Sequence, residues 1–154
     1  MEWKIDLLNK LGIKNNGIKE YTSKTGYNEG KQVLYSQMSV NPTIKALRRT
    51  VYVPKKTLSR KLLNWLTPLG IAIWYMDDGH INVNTSSQRS SIQHTIKIAT
   101  CVDEITANMI IQYFKEVWDI TFRLFKEGKG TFSIASSSEL DCEKFIKIIK
   151  PFII

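Results

Sequence analysis

The chain has 154 residues, 43% of them hydrophobic and 23% charged, which suits one compact domain or two small halves sharing a core. Its formal net charge is +8, from 22 Lys+Arg against 14 Asp+Glu, so a polyanionic partner is the first expectation. No apolar run approaches the ~18 residues of a membrane span, and the N-terminus lacks the apolar core of a secretory leader. Cys101 and Cys142 form no CxxC pair and read as small buried or half-buried thiols rather than a zinc knuckle or disulfide.

These features point to an intracellular setting. The charge is uneven. Residues 1–66 carry 13 basic and 4 acidic side chains, +9, whereas residues 67–154 carry 9 and 10, −1.

In chain order, Trp3, Leu7, Leu8 and Leu11 recur at helical spacing and predict a helix over Trp3–Ile13, with Gly12 at its end. Ile18–Lys24 and Gln32–Val40 read as strands around a Gly-Tyr-Asn-Glu-Gly loop, a hairpin candidate. Asn41-Pro42 supplies an N-cap and an N1 proline for a helix whose apolar side is Ile44, Leu47 and Val51, stopped by Pro54.

A basic stretch, Lys55 to Lys61, leads to a short helix over Lys61–Trp65. Thr67-Pro68 starts the next helix, an apolar run closed by Asp77-Asp78-Gly79. Ile81–Val83 and Thr95–Thr100 read as strands across a polar loop. Asp103–Trp118 reads as a helix with Ile105, Met109, Ile110, Tyr113, Phe114 and Val117 on its apolar side. Two strands, Ile120–Phe125 and Thr131–Ala135, and a helix over Leu140–Ile149 follow, with Pro151 as the stop. The helix-strand-strand-helix order before residue 52 matches the order from residue 103 onward, a repeat of pattern rather than of sequence.

The segment from Leu66 to Gly79 carries the most chemistry. As a helix it spans about 18 Å. Small or compact residues at Gly70, Ala72 and Ile73 would let a second helix approach closely. Asp77 and Asp78 stand at the negative end of the helix dipole, which disfavours each by roughly 0.3–1 kcal/mol. A divalent cation would relieve that penalty. The same residues equally describe a buried helix ending in a solvated Asp-Asp-Gly turn, with Gly79 left-handed. Trp74, Tyr75, Phe114 and Trp118 read as core, and the lone His80 and His94 as turn or groove residues.

This segment resembles the LAGLIDADG motif of homing endonucleases, in the branch whose second motif reads LTP-x-x-LAxWxMDDG. Ile71–Gly79 occupies the nine-residue motif, and Ile71 is the only departure from the longer pattern. Lys55-Lys56-Thr57, Ile96–Thr100 followed by Asp103-Glu104, and the Lys-Pro near the C-terminus also resemble family segments.

The resemblance implies an α+β fold of αββαββα units with saddle-shaped antiparallel sheets. Residues 1–60 would form a partial, N-terminally incomplete first unit, and residues 61–154 the second. It implies site-specific, metal-dependent hydrolysis of double-stranded DNA by an intron- or intein-associated enzyme. In this family two motif helices pack together, here through Leu69, Gly70, Ala72, Ile73 and Gly79, and each delivers one acid, here Asp78. Asp77 is adjacent, at a motif position that is not the usual ligand; with Asp78 it forms the expected Mg²⁺ or Mn²⁺ set, and Lys56 matches the family's active-site lysine.

DNA contacts are expected from Lys24, Lys31, Gln32, Lys55, Ser86, Gln88, Arg89, Gln93, Lys97, Arg123, Lys126 and Lys129. Only one motif lies in these residues. A homodimer or a complementing N-terminal fragment is therefore the expected route to a second acid. A non-catalytic DNA- or RNA-binding remnant, maturase or regulator on the same scaffold is the alternative.

Overall fold

The computed structural model describes residues 2–26, 28–52, 58–85 and 92–153, the side chains of 84, 85, 92, 93 and 129 excepted. The chain divides into two compact units, Met1–Val53 and Pro54–Ile154.

The first unit runs α1 (Glu2–Lys10), β1 (Lys19–Thr22), β2 (Gln32–Tyr35) and α2 (Pro42–Tyr52). The two strands form an antiparallel hairpin in which Tyr21 faces Val33, and Tyr21 and Tyr35 meet edge to face at 5.4 Å. Asn41 caps α2 as its sequence predicts: its Oδ1 accepts from the Thr43 and Ile44 amides at 2.9 and 3.3 Å. Among the described residues of this unit none is buried.

The second unit runs α3 (Arg60–Leu63), α4 (Pro68–Asp78), β3 (Gly79–Thr85), β4 (Ile92–Val102), α5 (Glu104–Trp118), β5 (Arg123–Lys126), β6 (Phe132–Ser136) and α6 (Glu139–Ile149). From α4 onward this is αββαββα. The four strands form one antiparallel sheet in the order β3-β4-β6-β5.

Side-chain oxygens set the helix starts. Thr67 Oγ1 accepts from the Gly70 amide at 3.2 Å and Asp103 Oδ1 from the Thr106 amide at 2.9 Å. At the end of α5, Asp119 adopts a left-handed φ of 52°. The Lys144 ammonium binds both its carboxylate and its carbonyl, which fixes this conformation, uncommon for a residue with a Cβ.

Strand alternation sends Ile96 and Ile98 of β4 and Ile134 of β6 to one face of the sheet, where α4, α5 and α6 cover them. Phe114 and Phe145 centre the aromatic part of this core. Phe114 lies 4.9 Å from Phe122, and Phe145 lies 5.2 Å from Tyr75. Near Cys101, whose φ is 50°, the β4–β6 register shifts by a bulge between Ile98 and Val102.

Several expectations need correction. Ile105 is 84% exposed and Val117 48% exposed, so the buried stripe of α5 is instead Thr106, Ala107, Ile110, Tyr113 and Phe114. Asp103 caps the helix, and the core-facing line begins one position later. The strands around the polar loop are longer than expected, because ladder hydrogen bonds continue to the Thr85–Ile92 pair. Among the described residues no helix is long and apolar enough to cross a membrane.

Candidate active site and nucleic-acid face

The motif helix α4 is strongly apolar, yet only Ile71 and Ala72 are buried. Ala72 is 0% exposed and belongs to the core cluster. It has no surface to offer a second helix, which corrects its expected interface role. Leu69, Gly70 and Ile73 remain partly exposed. Among the described residues, a Cβ added at Gly70 would meet only Leu66 and Thr67, at 3.4 and 3.6 Å.

Gly79 is not left-handed. Its φ and ψ of −95° and 156° carry the chain from α4 into β3 without a turn. Glycine is needed there for space: a Cβ would stand 2.1 Å from Tyr75 Cδ2 and 2.5 Å from the Tyr75 carbonyl oxygen. This close approach holds Asp78 at the junction of helix and sheet.

Asp77 and Asp78 are both exposed at that junction, and Asp77 already has an interaction partner. Among the described residues no group of three or more His, Cys, Asp or Glu is placed to hold a metal. A set of one or two carboxylates nonetheless fits Mg²⁺, which ordinarily completes its shell with water and phosphate oxygens. Lys55 and Lys56 lie outside the described residues, as do Ser86, Gln88 and Arg89; the side chains of Gln93 and Lys129 do so as well.

Among the described residues of the second unit, helices cover one face of the sheet only. Register and alternation bring His80, Lys97, Ala135 and Arg123 across the other face in one row. Asn82 pairs with Thr95, and Phe125 with Ser133, in adjacent rows.

Arg123 is exposed here and donates to the Ser137 hydroxyl. Lys97 is less open than its sequence implies. Its ammonium lies 2.5 Å from Glu127 Oε1 and 3.7 Å from the centre of the Phe125 ring. Lys126 alternates with Leu124 and so belongs to the helix-side face, against its expected DNA-facing role. In the first unit Lys24, Lys31 and Gln32 are exposed, and Lys31 already has an interaction partner.

Sequence reasoning missed Glu127, Asn82, Thr95 and Ser133 on this face. Period-two alternation carried across the correct register would have found them; the register itself was not readable.

Two titrating groups lie beneath the site. Burial pushes the Tyr75 phenol up, with the neighbouring Cys142 adding to it. Burial likewise raises the Cys142 thiol, which donates weakly to the Ser136 carbonyl at 3.5 Å.

The model of the LAGLIDADG DNA endonuclease family matches residues 1–142. The chain belongs to this family. It is 30% identical over 98% of its length to Protein RecA of Mycolicibacterium fallax and 32% identical over 73% to Protein RecA of Mycobacterium leprae (strain TN). It covers 34% and 17% of those proteins, so it spans about a third or less of the curated relatives it matches.

Among solved structures, the homing endonuclease I-WcaI bound to its DNA recognition sequence superposes over 99% of this chain and 67% of that one. The TM-score is 0.75 at 18% identity. The N-terminal LAGLIDADG domain of DUF199/WhiA superposes over 95% of this chain and 63% of its own, with a TM-score of 0.53 at 11% identity. At these identities the superpositions establish the fold, α+β with antiparallel sheets.

Proposed function

We propose that this chain is a homing-type endonuclease that hydrolyses both strands of DNA at a specific site, with Asp78 as the acid that holds the metal. The observation that carries this reading is the placement of Asp78. It stands exposed at the last position of the motif helix, where the chain passes directly into the first strand of the sheet. A bound Mg²⁺ or Mn²⁺ supplies an activated water and neutralises charge at the phosphate. Asp78 would hold that ion with Asp77 beside it, and Lys56 would stabilise the extra negative charge on the phosphate oxygens. Arg123 and neighbouring strand residues hold the duplex through its major groove.

The second acid comes from another motif helix. The partly exposed Leu69, Gly70 and Ile73 of the otherwise apolar α4 support a helix-helix contact there, either with a second copy or with a complementing N-terminal fragment. In this reading residues 1–60 are part of a first unit and residues 61–154 are the second. The match to about a third of longer proteins favours the intein-associated form over the intron-encoded one.

The test incubates the full chain with a randomised duplex library and Mg²⁺, then sequences new ends. Metal-dependent double-strand breaks within one sequence motif are expected. Specific binding without breaks would instead favour a non-catalytic remnant, maturase or regulator. Sedimentation with and without DNA decides assembly: a strictly monomeric chain in both would contradict a site made by two copies.

A further inference from the structure

We propose that Glu127 is a base-reading residue that accepts a hydrogen bond from the exocyclic amine of one cytosine. This rests on the proposed DNA-facing role of the open sheet face. Glu127 follows Arg123 and Phe125 by strand alternation, so its carboxylate falls on that same face. Two donors anchor it there: the Lys97 ammonium at 2.5 Å and the Ser133 hydroxyl at 2.8 Å. Both end on Oε1. Among the described residues Oε2 takes no hydrogen bond or ion pair, and the side chain keeps 32% of its surface.

A carboxylate in this position works against simple backbone grip. It repels phosphate and occupies Lys97, a central cation of the row. What it can recognise is a donor. The major groove presents only two, cytosine N4 and adenine N6. The adenine amine has the N7 acceptor of its own ring beside it, whose lone pair faces a carboxylate unfavourably, whereas the cytosine amine has the C5–H in that place.

The paired guanine then presents O6 and N7, and the neighbouring Lys97 is a donor for them. The two side chains thus match one C·G pair in sign. Because Lys97 and Ser133 hold the carboxylate beforehand, little rotamer freedom is lost on binding. Hydrogen bonds from Lys97 and Ser133, with the charge of Lys97 adding to them, hold Glu127 ionised, which is the form that accepts.

The full chain, its E127Q variant and its E127A variant are each put through selection from a randomised duplex library. Wild type should favour cytosine at one position by roughly 5- to 150-fold. E127Q should move that preference to adenine, because an amide can bond both N6 and N7, and E127A should lose it. Preference at the other positions should persist in both variants. If wild type selects a site and the variants change affinity for all sequences equally, Glu127 only positions Lys97 and the inference is overturned while the DNA-binding reading stands. If wild type selects no duplex, both fall.

Discussion

The two halves of the chain are built from the same helix-strand-strand-helix order but differ in what they bury. The second unit encloses Phe114, Phe145, Tyr113 and the isoleucines of β4 and β6 between sheet and helices. The first has a two-stranded hairpin and two amphipathic helices, and none of its described residues is buried. A hairpin of this size is marginal in isolation, and helix faces that bury little gain little from the hydrophobic effect. The difference shows that pattern alone does not make a core. Four strands and three covering helices do so here.

The largest expected effect lies at the centre of the second unit. Phe145→Ala should cost about 3–5 kcal/mol, read as a lower denaturant midpoint. Gly79→Ala should cost about 1–3 kcal/mol, because the new Cβ meets the Tyr75 backbone oxygen, which no rotamer change can move. An unchanged melt would show that the junction is looser than described. Asp103→Ala should cost about 1 kcal/mol through the lost cap of α5.

In the first unit, Leu47→Ala should cost well under about 1 kcal/mol, since the side chain is already 48% exposed. A larger loss would mean that this unit has a core after all. Hydrogen exchange sharpens the same contrast: amides of β1 and β2 should exchange faster than those of β4 and β6.

The smallest effect concerns pH. Hydrogen bonds from Lys97 and Ser133 hold the Glu127 carboxyl below its ordinary value. Its folded value is thus the lower one. The stabilisation is present above the unfolded value and is lost as pH falls through the folded value. The thermal midpoint of E127Q should therefore fall less than that of wild type on going from neutral pH into the acid range.

Much of the second unit was legible because its signals are local. Thr67-Pro68 in this unit, like Asn41-Pro42 in the first, starts its helix where the residue types predict. The motif from Ile71 to Gly79 stood out because small residues and paired acids share one apolar helix. Less legible were features that depend on long-range pairing. Ile105 fits the apolar period of α5, yet it lies outside the buried line, and only packing against the sheet decides that. Glu127 looked like part of a polar turn, and only the β4–β6–β5 register brings it to Lys97. From its position after two acids Gly79 reads equally as a left-handed turn residue or as part of the motif, whereas the approach of Tyr75 is what demands glycine.

The most direct test of the central claim is cleavage by Asp78→Asn. With Mg²⁺ and the duplex selected by wild type, the variant should bind but produce no breaks, because the amide keeps the side chain's shape and loses the charge that holds the metal. Cleavage that survives the substitution would contradict the role of Asp78 and with it the proposed active site.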